Sequence, residues 1–62
     1  MIKTTKGQRA ALKRVWDRDH AGVASYRRFR TLVQPTFGCD GAIVVLWNGM
    51  WLCIETDGYT HS

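Results

Sequence analysis

The sequence predicts an α+β fold in which two short helices are followed by a C-terminal β-hairpin, in the order ααββ, completed by homodimerisation. Three observations lead to this prediction. The first half has helical periodicity, an Asn-Gly dipeptide separates two apolar runs in the second half, and both faces of the resulting hairpin are apolar. A chain of 62 residues is expected to form a single small domain, residues 1–62, and domains of this size bury only about 60% of their unfolded surface.

The first predicted helix covers about residues 5–19. Thr4 or Thr5 offers a hydroxyl that can cap its first turn, and good helix formers follow as far as Asp19. The apolar side chains recur at the spacing of one helical face. They are Ala11, Leu12, Val15 and Trp16.

The second predicted helix covers about residues 25–33. Ser25 is a favourable N-cap, and the helix is expected to end before Gln34 because a residue that precedes proline is disfavoured in the helical region. Its predicted buried stripe consists of Tyr26, Phe29, Leu32 and Val33. Residues 35–41 are rich in turn-forming residues and are interpreted as a loop.

The predicted hairpin has strands at about 42–47 and 50–55, joined at Asn48-Gly49. Asn-Gly between apolar runs is a strong hairpin signal, because a type I′ turn needs positive φ at both central residues. A two-residue loop places Trp47 opposite Met50, and alternation then divides the side chains between two faces. One face carries Ile43, Val45, Trp47, Met50, Leu52 and Ile54, and the other carries Ala42, Val44, Leu46, Trp51 and Cys53.

Each apolar face must be shielded from water by a packing partner, and the sequence leaves three arrangements open. One helix can cover each face, both helices can share one face while the other meets a second copy, or the free face can await a different protein. Self-association is favoured, because an isolated hairpin is marginal in water and symmetric dimers are the commonest oligomers. The predicted interface residues are Val44, Leu46, Trp51 and Cys53.

Charge is distributed unevenly along the chain. All nine Lys and Arg lie between Lys3 and Arg30, where only two Asp accompany them, so this half has a net charge of +7 and the remainder −3. Such asymmetry predicts an anionic partner, most commonly nucleic acid, although ordinary solvated helix faces also explain part of it. The predicted nucleic-acid-binding residues are Lys6, Arg9, Lys13, Arg14, Arg27, Arg28 and Arg30.

Residues that could support catalysis or metal binding are few, and the chain is predicted to have no enzymatic activity, no cofactor and no metal. Asp17, Asp19 and His20 lie together at the end of the first helix, where a solvated cluster is the simpler interpretation. The potential zinc donors lack the close spacing of small metal sites. These donors are Cys39, Cys53, His20 and His61.

Localisation is predicted from three features of the sequence. Two cysteines are too few for a disulfide framework, the N-terminus lacks the apolar core of a secretory signal, and the longest apolar run has six residues, Ala42 to Trp47. These features predict a cytosolic protein with reduced thiols that does not span a membrane.

Two segments carry a resemblance to a known group of proteins. "SYRRFRTLVQPTFG" and "GMWLCIETDGYTHS" resemble short proteins encoded by small bacteriophages, those of the single-stranded-DNA microviruses. The similarity covers about residues 6–62 and is densest over 49–62. It implies a bacterial host cytoplasm or a virion as the setting, and a protein that acts by binding; it implies no catalytic residues.

The predicted function is therefore that of a small, basic, non-enzymatic phage accessory protein that binds nucleic acid through its helical cations. The alternative is a protein–protein interaction module that uses the apolar hairpin face. Such a module would be a minor virion component or an inhibitor of a host protein.

Overall fold

The computed structural model describes residues 3–62 and confirms the mixed α+β class. Its elements are α1 (Lys6–Arg18), α2 (Tyr26–Val33), β1 (Thr36–Phe37), β2 (Ile43–Trp47), β3 (Met50–Ile54) and β4 (Thr60–His61), with a short 3₁₀ turn at Cys39–Gly41. The order is therefore ααββββ, not the predicted ααββ. The two helices and the central hairpin lie within one or two residues of their predicted bounds.

The sheet is an antiparallel meander in the order β1-β2-β3-β4. The register of the central hairpin agrees with the sequence prediction, because Trp47 lies opposite Met50 and Ile43 opposite Ile54. Asn48 and Gly49 have φ angles of 51° and 78°, the positive values that a type I′ turn requires. The local turn chemistry therefore fixes which residues share a face.

Two short edge strands extend the hairpin on either side. Thr36 and Phe37 of β1 pair with β2, within the segment predicted to be a loop. On the other side the amide of Gly58 donates to the carbonyl of Glu55 over 2.8 Å, and this turn brings Thr60 and His61 of β4 beside β3. The Asp57-Gly58 dipeptide is typical of such a turn, but two-residue strands are too short for alternation to reveal them.

Both helices pack on the same face of the sheet. The buried core joins side chains of α1, α2, β2 and β3, which rules out one helix on each face. Its members are Ala11, Leu12, Trp16, Phe29, Val33, Ile43, Val45 and Ile54. Leu32, predicted to be buried, is instead 49% exposed, whereas Phe29 and Val33 of the same stripe are buried.

A buried glutamine fastens the start of α1 to the sheet. Thr5 and Gln8 form a reciprocal capping box, in which the Gln8 amide oxygen accepts from the Thr5 amide at 2.8 Å. Gln8 is fully buried, and its Nε2 donates to the carbonyls of Gly41 and Ile54 at 3.0 and 3.3 Å. One side chain therefore satisfies a helix terminus and two carbonyls of the sheet region.

Two glycines let the first turn of α1 approach the β3–β4 turn. A Cβ on Gly7 would lie 2.6 Å from the carbonyl carbon of Asp57, and a Cβ on Gly58 would lie 2.6 Å from the Gly7 carbonyl oxygen. Any larger residue would force these backbones apart. At the other end of α1, the carbonyl of Asp19 accepts from Trp47 Nε1 at 2.9 Å, which ties α1 to the hairpin turn.

Candidate functional site

Cations from both helices meet at the ring of Tyr26. The ammonium of Lys13 in α1 lies 5.2 Å from the centroid of this ring. The guanidinium of Arg30 in α2 lies 6.0 Å from it, and its Nη1 is 3.5 Å from the Tyr26 hydroxyl. Tyr26 is itself half-buried and stacks on Phe29. A core-anchored aromatic ring therefore positions cations from α1 and α2 on a common surface.

Helical spacing extends this cluster along both helices. Residues three or four apart lie on the same side of a helix, so further cations continue the surface on which Lys13 and Arg30 lie. We define the basic surface as Lys6, Arg9, Lys13, Arg27 and Arg30. All of these residues are exposed except Arg30, which is half-buried.

The other two predicted nucleic-acid-binding residues, Arg14 and Arg28, lie outside the basic surface. Arg14 projects from a different side of α1, where its Nη2 donates to the Gly58 carbonyl at 3.2 Å. With Arg18 it borders a groove of about 390 Å³ that has Met50 and Leu52 in its lining. Arg28 lies four residues before the exposed Leu32, on the side of α2 away from Arg30. The seven predicted residues are therefore divided between surfaces.

Two contacts within the basic surface affect its availability to an anion. Lys13 pairs with Asp17 at 3.3 Å, but both side chains are more than half exposed, at 55% and 61%, and such pairs contribute little. The Nε of Arg30 is buried and has no hydrogen-bond partner among the described residues. The terminal nitrogens of Arg30 are therefore the groups through which it can reach an anion from solvent.

Among residues 3–62, no helix covers the second face of the sheet, which we call the open face. Leu46 is 45% exposed and Trp51 is 61% exposed, whereas Val44 and Cys53 are half-buried. These four residues are the predicted interface residues, and the alternation places all of them on this face. The open face presents apolar groups where the helical side presents cations.

A cluster that the sequence analysis did not assemble lies at the β4 side of the open face. Glu55 Oε2 is 2.8 Å from His61 Nε2 and 3.7 Å from Cys53 Sγ. The hydrogen bond to Glu55 raises the pKa of His61. Partial burial, followed by the charge and hydrogen bond of Glu55, raises the pKa of the Cys53 thiol. The available signal was Cys-x-Glu on a strand, a turn at Asp57-Gly58, and a histidine on the returning strand.

The cluster of Asp17, Asp19 and His20 does not form a joint site. Asp19 accepts from Asn48 Nδ2 at 2.6 Å and from the Ala21 amide at 2.9 Å, so its carboxylate organises the end of α1. The His20 ring stacks on Trp16 at 3.8 Å between centroids. Each of the three side chains therefore has its own contact.

Over residues 3–62, the helices are too short and too polar to cross a membrane. No family model, curated protein or solved structure matches this chain.

Proposed function

We propose that this chain is a small nucleic-acid-binding protein that contacts phosphates through the basic surface and self-associates through the open face. The observation that supports it most directly is the convergence of Lys13 and Arg30 on Tyr26. Cations on two different helices then act as one surface. A bacterial host cytoplasm or a virion, the setting implied by the resemblance to phage proteins, belongs to the same proposal.

A polyanion suits the basic surface better than a single anion does. Its five cations follow two helices, and all nine Lys and Arg of the chain lie in this helical half. A phosphodiester backbone presents regularly spaced charges that such a surface can follow, and arginine can bind two phosphate oxygens at once. The half of the chain that supplies most of the sheet has a net negative charge, so phosphate is attracted to the helical side.

Self-association would use the opposite side of the molecule. Leaving large apolar side chains such as Leu46 and Trp51 in water forfeits on the order of 1.5 to 3 kcal/mol each relative to full burial. A symmetric dimer through the open face would cover them and leave both basic surfaces free. Two linked binding surfaces raise the apparent affinity for a long strand.

Titration with fluorescently labelled DNA, single-stranded and duplex, at several salt concentrations tests the proposal. If four to six cations contact phosphate, the affinity should fall with salt at a log–log slope of roughly −3 to −5. Replacing Lys13 and Arg27 together by Gln should reduce the magnitude of that slope by about 1.4 to 1.8, since each lost contact removes about 0.7 to 0.9.

A matched control removes the same charge from the other surfaces. The double variant Arg14→Gln, Arg28→Gln should leave the slope near that of the unmodified chain. Trp51→Thr should bind a short oligonucleotide with unchanged affinity while sedimenting as a single chain. Absence of binding at low salt would end the nucleic-acid proposal, and equal losses in the two charge variants would refute the assignment of the basic surface.

One observation favours a second candidate function. Tryptophan is enriched among residues that dominate protein interfaces, and Trp51 is 61% exposed on an apolar face. A host or capsid protein could occupy this face in place of a second copy. A chain that sediments as a monomer at high concentration and binds no DNA would favour this candidate over the first.

A further inference from the structure

The β3–β4 pairing brings three different metal-binding side chains together on the open face. Cys53 lies in β3 and Glu55 follows two residues later, so both project to the same side. His61 of β4 is the direct cross-strand partner of Cys53. As a result, one sulfur, one carboxylate oxygen and one imidazole nitrogen lie within 4.8 Å of one another.

The spacing of these atoms resembles that of ligands around a tetrahedral zinc ion. Zinc binds sulfur at about 2.3 Å and nitrogen or oxygen at about 2.0 to 2.2 Å, which places tetrahedral donors about 3.4 to 3.6 Å apart. The Cys53–Glu55 distance of 3.7 Å already fits. The Glu55–His61 distance of 2.8 Å would lengthen by about 0.6 Å on replacing their shared proton with a metal.

We propose that Cys53, Glu55 and His61 form a binding site for one zinc-type divalent cation. The donor set favours zinc, because thiolate and imidazole are poor ligands for magnesium and calcium. Three protein ligands leave a fourth position open to water or to another side chain. This site is independent of the basic surface, since none of its ligands belongs to the helices.

The surrounding structure holds these ligands in place. The Tyr59 ring stacks on the His61 imidazole, with centroids 5.5 Å apart. The backbone amide of Glu55 donates to the Tyr59 carbonyl at 2.8 Å, which closes the turn between the strands. The side chains of Glu55 and His61 are each 41% exposed, so an ion has access from solvent.

Binding would join β3 to a strand of only two residues. A ligand present at about 100 times its dissociation constant should raise the melting temperature of a domain of this size by about 10 to 20 °C. The metal would thereby attach the C-terminal edge of the sheet to its centre. Zinc titration of the reduced, metal-free protein, followed by thermal unfolding, measures this shift.

Cobalt identifies the ligands, because a cobalt–thiolate bond produces a charge-transfer band that other ligands do not. The band should appear with a stoichiometry of one ion per chain and disappear when zinc is added. Cys53→Ser should abolish it, and Glu55→Gln should weaken binding by about 100-fold or more, since even outer-shell substitutions cost 10- to 100-fold. Cys39→Ser and His20→Asn, which alter the other cysteine and histidine, should retain the band.

Circular dichroism establishes that each variant is folded before titration. If Cys53→Ser does not fold, Glu55→Gln tests the site, because the Glu55 side chain is partly exposed. The absence of a charge-transfer band in the unmodified protein would overturn the proposal. So would a band that persists in folded Cys53→Ser, or a zinc-dependent rise in melting temperature that is unchanged in Glu55→Gln.

Discussion

The two faces of the central hairpin have similar composition but different surroundings. On one face Ile43, Val45 and Ile54 are almost fully buried, at 0%, 1% and 0% exposed. On the other, Leu46 and Trp51 are 45% and 61% exposed. Apolar composition therefore does not decide burial in this chain. Burial depends on which face of the sheet the helices pack against.

Both helices go to the same face because their contacts bind them to each other as well as to the sheet. Trp16 of α1 packs against Phe29 of α2, with ring centroids 5.6 Å apart, and Phe29 meets Trp47 of β2 edge-on at 4.6 Å. Aromatic pairs of this kind add about 0.5 to 1.5 kcal/mol beyond their buried area. Moving one helix to the open face would break this cluster.

The largest expected loss of stability comes from truncating a buried side chain on the sheet face that the two helices cover, which we call the helical face. Ile54→Ala should destabilise the fold by about 2 to 5 kcal/mol, because it leaves a cavity in the core. A 62-residue domain has a total stability of only about 3 to 9 kcal/mol. Chemical denaturation should therefore show a large loss or complete unfolding, and a loss below 1 kcal/mol would contradict the assigned core.

An intermediate effect is expected at the polar contact that fastens α1 to the helical face. Gln8→Leu should cost about 1 to 3 kcal/mol, because it leaves the buried carbonyl of Ile54 without its side-chain donor. Thr5→Ala provides a comparison, since it removes the hydroxyl of the cap and should cost about 1 kcal/mol. Equal stability of Gln8→Leu and the unmodified chain in denaturant titrations would show that the glutamine is dispensable.

The smallest effect is expected on the open face. Leu46→Ala should change the stability of the dilute protein by about 1 kcal/mol or less, because the side chain is already partly in water. Measured beside Ile54→Ala by the same denaturant titration, it gives the contrast between the two faces directly. A loss as large as that of Ile54→Ala, even in dilute solution, would mean that the open face is covered.

The sequence predicted those parts of the fold that local chemistry determines. The Asn48-Gly49 turn determined the hairpin register, and the hydroxyls of Thr5 and Ser25 marked the starts of both helices. The strands β1 and β4 could not be predicted, because their two residues depend on pairing with a neighbour that is already in place. The buried position of Gln8 was missed for a related reason, since its partners are distant in sequence.

The candidate sites show the same contrast between what local sequence determines and what depends on tertiary contacts. Composition alone indicated that the helices carry the cations, but only the structure separates Arg14 from Lys13, because one bonds to Gly58 and the other lies over Tyr26. The cluster of Cys53, Glu55 and His61 depends on β4, so it could not be assembled before that strand was known.

The anchoring of α1 has a consequence for the order of events during synthesis. The Thr5 hydroxyl donates to the carbonyl of Thr56 at 2.6 Å, across 51 residues of a 62-residue chain. The carbonyl that receives the first turn of α1 is therefore synthesised 51 residues after the hydroxyl that binds it. Closing so long a loop comes late and slows folding. The first turn of α1 therefore cannot dock on the sheet before Thr56 has been synthesised.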